Sequence, residues 1–251
     1  MSKTKGFLLA VGIVLAMAFT LSCSSDEGEG GGSSSSYGGG DLSSNSSAGG
    51  VVYGTSVTYD NDTYPTVVIG SQTWFAKNLN YNPNSGSSAC YENEDSNCAV
   101  YGRLYDWATA MGLPSSCNSA YCSSQIQSKH RGICPVGWHI PSYTDWGILV
   151  YYAGGDKIAG KKLKAKNGWD DYRGASGNGT DEFGFSALPG GYGDSVGNFS
   201  DVGESGFWWN DEHEGGSGNA AYFRPMSYDR DYAYLNIDYK SFLFSVRCVQ
   251  D

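Results

Sequence analysis

The rhythm of apolar and polar positions changes three times along the chain. After Lys3 and Lys5 an apolar run extends from Phe7 to Phe19, about half the ~20 residues a membrane-spanning helix needs. It therefore reads as the core of a secretory signal rather than an anchor. From residue 24 to residue 50 Ser and Gly dominate and apolar side chains almost vanish. Such a stretch buries too little surface to offset its ordering entropy, and is expected to be a flexible tether spanning on the order of 30 Å r.m.s.. Beyond Val51 strand alternation takes over. Val57-Thr58-Tyr59 and Tyr64 to Ile69 flank a turn at Asp60-Asn61-Asp62, and Gly70-Ser71 leads into Gln72-Thr73-Trp74-Phe75, all β-branched or aromatic runs bounded by turn formers. Tyr101 to Tyr105 reads as a short strand, with Asp106 capping a helical turn through Met111. After Pro141 the period lengthens. Ser142 and Asp145 stand at capping-box spacing, and Trp146, Leu149, Val150 and Ala153 follow on one helical face until Gly154-Gly155. A second helix from Asp156 to Ala165 presents Lys157, Lys161 and Lys164 on one side, which predicts a solvated face. From Phe183 onward short aromatic strands alternate with Gly, Asn and Asp, at 185–188, 207–209, 221–226, 232–237 and 242–249. That pattern predicts an antiparallel sheet built late in an α+β domain.

Residues 51–251 suit one domain, loop-rich because Gly and Tyr are so frequent. The formal net charge of −10 becomes more negative once the leader's two lysines are removed, which makes nucleic acid and anionic lipid headgroups poor candidate partners. Apart from Cys23 there are six cysteines, an even count suited to an oxidising compartment. Fifteen connectivities are open; proximity in sequence favours Cys90–Cys98 and Cys117–Cys122, which leaves Cys134–Cys248. Metal binding by Cys117 and Cys122 is the alternative, but no second thiol or histidine pair with zinc spacing lies near them.

Few residues point to catalytic chemistry. His139 sits between Trp138 and Ile140-Pro141, the setting of a structural ring. His213 lies in the acidic run Asp211-Glu212-His213-Glu214, a cation ligand or a hydrated loop tip. No nucleophile elbow, zinc-protease helix or phosphate-cradling loop occurs. Glycosidase carboxylates have candidates in Asp194, Asp201, Glu204, Asp211 and Glu212, but an acidic domain supplies these in any case. Aromatic residues are the stronger signal. Along Phe207-Trp208-Trp209-Asn210-Asp211-Glu212 adjacent side chains point to opposite faces, so one of Trp208 and Trp209 is expected to face outward as a platform for a sugar ring, with Asn210, Asp211 and Glu212 beside it. Trp169, in a Gly/Asp-rich loop, is expected to be exposed. Trp74, Trp107, Trp138 and Trp146 are expected in the core. Tyr192, Tyr228, Tyr232 and Tyr234 are candidates for an aromatic surface, and alternation puts Tyr232 and Tyr234 on one face.

Several segments carry resemblances. Thr20-Leu21-Ser22-Cys23 resembles a bacterial lipobox, which implies cleavage before Cys23 and its lipidation. Thr20 stands where that pattern prefers Leu, Ile or Val, so secretion with a free thiol is the alternative. Ser24 after the cysteine implies outer-membrane sorting, and Asp26, Glu27 and Glu29 resemble the surface-export signals of Bacteroidetes lipoproteins. The series 64–70, 72–80, 101–107, 134–141, 184–191, Phe207-Trp208 and 245–249 resembles the Fibrobacter succinogenes major paralogous domain over residues 57–251. This family is similar to the sulfatase-modifying domains, a variant of the C-type lectin-like fold. The resemblance implies a twisted antiparallel sheet, two helices and long loops, with Cys134–Cys248 as the long-range bridge. It carries no established activity, and the reactive cysteine pair of the sulfatase-modifying enzymes is missing, since only Cys248 lies beyond Cys134. Trp209-Asn210-Asp211 also matches the element that supplies calcium ligands in sugar-binding C-type lectins, which makes Asn210 and Asp211 candidate calcium ligands. The companion Glu-Pro-Asn or Gln-Pro-Asp triplet is missing upstream, and local turn hydrogen bonds are the alternative role. No other cofactor is expected. These readings converge on a lipid-anchored, cell-surface binding module for polysaccharide. A structural module bound to an envelope protein is the alternative, and a carbohydrate-active enzyme the third reading.

Overall fold

The computed structural model describes residues 50–216 and 218–251; the leader, Cys23 and most of the Ser/Gly tether lie outside the described residues. The chain opens with β1 (Val52–Tyr53), β2 (Val57–Tyr59), β3 (Asp62–Tyr64), β4 (Thr66–Ile69) and β5 (Gln72–Phe75). Asp60 and Asn61 both adopt positive φ, at 50° and 62°, so β2 and β3 close through a two-residue turn of the kind that suits the twist of paired strands. A crossing segment holds β6 (Ser88–Ala89), α1 (Asp95–Tyr101), β7 (Leu104–Tyr105), α2 (Trp107–Ala110) and β8 (Trp138–His139). Next come α3 (Tyr143–Tyr152), α4 (Ala159–Leu163), and the small hairpin β9 (Asp171–Tyr172) and β10 (Ala175–Ser176). The late strands are β11 (Gly190–Gly193), β12 (Phe199–Val202), β13 (Ser205–His213), β14 (Ala220–Ser227), β15 (Asn236–Tyr239), β16 (Phe244–Ser245) and β17 (Val249–Gln250).

Two sheets carry the fold. A five-stranded sheet in the order β1-β4-β5-β17-β8 pairs the start of the described chain with its end, Val249 lying opposite both Trp74 and His139. An eight-stranded sheet runs β12-β11-β13-β16-β7-β6, with β14 on β13 and β15 on β14. The late sheet is not purely antiparallel: β13 pairs in parallel with β11 and with β16, and antiparallel only with β14. Helix caps follow the sequence closely. Asp106 Oδ1 accepts from Thr109 N at 2.7 Å, and Ser142 and Asp145 exchange both bonds of a capping box at the start of α3.

Some expected elements are absent. Tyr101 ends α1 rather than opening a strand, because Gly102 at φ 77° stops the helix. Residues 185–188 form no strand; Ala187 makes a single parallel bridge to Lys164. The carbonyls of Phe185 and Ser186 accept instead from the buried guanidinium of Arg247. Of 242–249, only Phe244–Ser245 and the start of β17 are extended in a ladder. The lysine face of 156–165 is broken too. The helix is only Ala159–Leu163, and Lys164 lies beyond its end with 1% of its surface exposed.

The disulfides are Cys90–Cys98, Cys117–Cys122 and Cys134–Cys248. The first two close short loops, and the third ties the turn before β8 to the residue before β17. In the loop-closure picture that last bond contributes most, nearly 5 kcal/mol against roughly 2 to 3 for each short loop. Two large apolar clusters flank the late sheet. One holds Trp107, Trp138, Trp209, Phe223 and Phe244; the other holds Trp74, Trp146, Trp169, Phe185 and Trp208. No described helix is long and apolar enough to cross a membrane.

Candidate functional site

The indole platform expected on β13 is not there. Trp208 and Trp209 do point to opposite faces, but each is fully buried because each face of the strand is covered. Trp208 Nε1 donates to Asn78 Oδ1 at 2.8 Å and Trp209 Nε1 to the Tyr105 carbonyl at 2.7 Å. Both polar handles are thus satisfied inside the protein, and neither ring can reach a sugar. Trp169 corrects the same way: it is 4% exposed, donates to the Ala187 carbonyl at 3.0 Å, and has the Lys164 ammonium 5.0 Å above its ring. Trp74, Trp107, Trp138 and Trp146 are core residues, as their surroundings predict. Tyr192 is half-buried against Phe207, Phe242 and Phe244.

Asn210 and Asp211 are buried, while Glu212 is exposed. Asn210 Oδ1 accepts from the Glu212 amide at 3.1 Å, the local turn bond that competes with a metal-ligating role. Its Nδ2 and the Oδ1 of Asp211 have no partner. Burial, with the Glu212 and Asp145 charges adding to it, pushes the Asp211 carboxyl up to about 7. Among the described residues no group of three or more His, Cys, Asp or Glu side chains is arranged to hold a metal ion. His139 is buried between two carboxylates. Its Nδ1 lies 2.8 Å from Asp251 Oδ1 and its Nε2 3.2 Å from Asp145 Oδ2.

The aromatic surface lies instead where the chain leaves β14. Here a cleft of about 540 Å³ is lined by Phe207, Tyr228, Tyr232 and Tyr234 together with Asp201, Glu204, Asp229, Arg230 and Asn236. Residues 232–235 belong to no strand, yet Tyr232 and Tyr234 project together because Ala233 between them is fixed from behind. Its amide donates to the Asp156 carbonyl at 2.8 Å and its carbonyl accepts from Arg224 Nη1 at 2.6 Å. The two phenol rings stand with centroids 4.7 Å apart, tilted by 38°, and the Arg230 guanidinium lies 5.2 Å from the Tyr232 ring.

The acidic residues of the cleft sit in different settings. Burial raises the Asp201 carboxyl. For Asp229 burial acts in the same direction, but bonds from the Ser227 hydroxyl and Arg230 outweigh it and hold the carboxyl low. Chemically, the cleft offers flat apolar faces beside planar acceptors and an amide, the combination that grips an uncharged, hydroxyl-rich ring. The sequence pointed to Tyr232 and Tyr234 by alternation, and to Tyr228, Asp201 and Glu204 by residue type alone. It gave no sign of Asp229, Arg230 and Asn236 beyond their position beside those tyrosines.

These features define an α+β domain stapled by three disulfides and carrying an open, tyrosine-lined cleft. The chain belongs to the Fibrobacter succinogenes major domain family, whose model matches residues 67–250. No curated protein and no solved structure matches it.

Proposed function

We propose that this protein is a lipid-anchored cell-surface module that binds extracellular polysaccharide in the Tyr232/Tyr234 cleft and catalyses no reaction. The observation that carries this reading is the paired, outward-facing Tyr232 and Tyr234 beside Asp229, Arg230 and Asn236. Tyrosine supplies a large flat contact at little rotamer cost, and the neighbouring carboxylates and amide give directional acceptors and donors for ring hydroxyls. The lipobox-like segment ending at Cys23 and the Ser/Gly tether support display at the outer surface. We further propose a C-type lectin-like arrangement. Its support is the pairing of the first described strands with the last, the two helices after Pro141, and the long-range Cys134–Cys248 bridge.

The test is retention of the full-length chain, solubilised in detergent, on a panel of soluble and insoluble neutral polysaccharides. The expected result is retention that Tyr232→Ala with Tyr234→Ala abolishes while the melting temperature stays within about 2 °C, as for surface substitutions. Retention unchanged in the double variant, or no retention of the wild type on any glycan, overturns the reading.

A further inference from the structure

A second cavity lies across the wall of the cleft. It measures about 300 Å³ and shares Tyr228, Asp229 and Arg230 with the first. Its far side is the β9–β10 hairpin, which brings Tyr172 to 5.3 Å from Tyr228, edge to face. The residues 228–230 therefore form a ridge, with Tyr172 facing the ridge's own Tyr228 on one side and the Tyr232–Tyr234 pair on the other.

The ridge is held rigidly. From below, Lys164 Nζ donates to the carbonyls of Ser227 at 2.7 Å and Arg230 at 3.0 Å. From the side, Gly177 packs so closely that an added Cβ would stand 2.8 Å from that of Tyr228. Both walls are thus set before any ligand arrives, which lowers the ordering cost of binding. The charges around the ridge are equally committed. Lys161 Nζ donates to the Asn178 carbonyl at 2.9 Å, Lys164 holds the ridge, and Arg230 Nε pairs with Asp229 at 3.2 Å. Asp201, Glu204 and Asp231 remain as negative charge along the two cavities. With Arg173 5.0 Å from the Tyr172 ring, the cations Lys161, Lys164, Arg173 and Arg230 balance the carboxylates Asp201, Glu204, Asp229 and Asp231 around the two cavities, so no net field selects an acidic sugar.

We infer that the ligand is a neutral linear glycan long enough to cross the ridge and occupy both cavities at once. This rests on the polysaccharide-binding reading above. The test is isothermal titration of the full-length chain in detergent with neutral β-1,4-linked glucose and mannose oligosaccharides of two to six sugars, and with oligogalacturonates of equal length. Affinity should rise about tenfold or more between the disaccharide and the hexasaccharide, a gain of roughly 1.4 kcal/mol. Tyr172→Ala should remove that rise while the melting temperature stays within about 2 °C, and the galacturonates should not bind. Equal affinity at all lengths, an undiminished rise in Tyr172→Ala, or preference for galacturonates overturns the inference. Loss of binding in Tyr232→Ala would in those cases still uphold the first cleft. No binding of any oligosaccharide overturns both.

Discussion

Asp211→Asn offers a quantitative test of the domain's buried electrostatics, because it removes one buried charge while keeping the side chain's size. The Asp211 side chain is 6% exposed, its Oδ1 lacks a partner, and its carboxyl is pushed from the ordinary range near 4 up to about 7 by burial first and by the Glu212 and Asp145 charges next. A carboxyl raised in the native state binds its proton more tightly there than in the unfolded chain. Stability therefore falls as pH rises between the two values, then levels off above the native one. At roughly 1.4 kcal/mol per unit, a rise of about three units corresponds to a penalty near 4 kcal/mol at pH 8 and almost none at pH 4. Asparagine escapes that penalty but brings an amide nitrogen with no assured partner, a cost of about 1 to 3 kcal/mol at every pH. The difference changes sign. At pH 8 the variant should be more stable by about 2 kcal/mol, raising the melting temperature by roughly 4 to 8 °C for a domain of this size. At pH 4 it should melt below the wild type. Calorimetric scans at half-unit steps with the disulfides intact measure this directly. A melting difference that stays constant from pH 4 to pH 8 would refute the reasoning, because it would place no titrating charge at Asp211.

Two further predictions follow from buried groups. Burial lowers the affinity of His139 for its proton, but hydrogen bonds to Asp145 and Asp251 outweigh that and raise its pKa. The stabilisation it contributes is complete below about pH 6.5 and is lost as pH climbs through the raised native value; an NMR titration of the His139 ring with a midpoint at or below 6.5 would contradict this. Lys240, fully buried, donates to the carbonyls of Cys117, Ala120 and Gly218 at 3.0, 3.2 and 2.8 Å. Lys240→Met strands three acceptors and should cost about 3 kcal/mol or more, a drop of roughly 10 °C in melting temperature; a drop under 2 °C would show that those loops are held by other means.

Local chemistry was readable from the sequence, and layering was not. The capping box at Ser142 and Asp145, the Asp106 cap, the turn at Asp60-Asn61 and the Cys90–Cys98 and Cys117–Cys122 pairs each depend on residues close together in sequence, Cys134–Cys248 is the pair they leave over, and each is present. Alternation correctly sent Trp208 and Trp209 to opposite faces. It could not tell that both faces are covered, because the cover over Trp208 comes from residues as distant as Asn78, Phe185 and Arg247. The Lys164 error has the same origin. A lysine row on an isolated helix belongs in water, but here the helix stops at Leu163 and the ridge carbonyls descend onto the next ammonium. Tyr232 and Tyr234 share a face as predicted, although a buried alanine held by one bond from its amide and one from the Arg224 side chain to its carbonyl keeps them there instead of a sheet ladder.

The same difficulty explains why an acidic chain buries so many cations. A domain built from short strands and long connections leaves many backbone carbonyls that no ladder satisfies, and an unpaired buried carbonyl is costly. Lys164, Lys240 and Arg247, each almost fully buried, direct their donors at such carbonyls: Ser227 and Arg230, then Cys117, Ala120 and Gly218, then Phe185 and Ser186. Each also rests against an aromatic ring, at 5.0 Å from Trp169, 4.3 Å from Trp107 and 4.4 Å from Phe185, where the ring face offsets part of the desolvation cost. A carboxylate partner would neutralise one cation but take up the donors the loops require. Backbone carbonyls and ring faces together stabilise the charge while one side chain fastens two or three loop segments. Applied at Lys164, that arrangement fixes the ridge between Tyr172 and the Tyr232–Tyr234 pair. The rigidity of the proposed glycan site thus follows from how an irregular backbone meets its hydrogen-bonding needs.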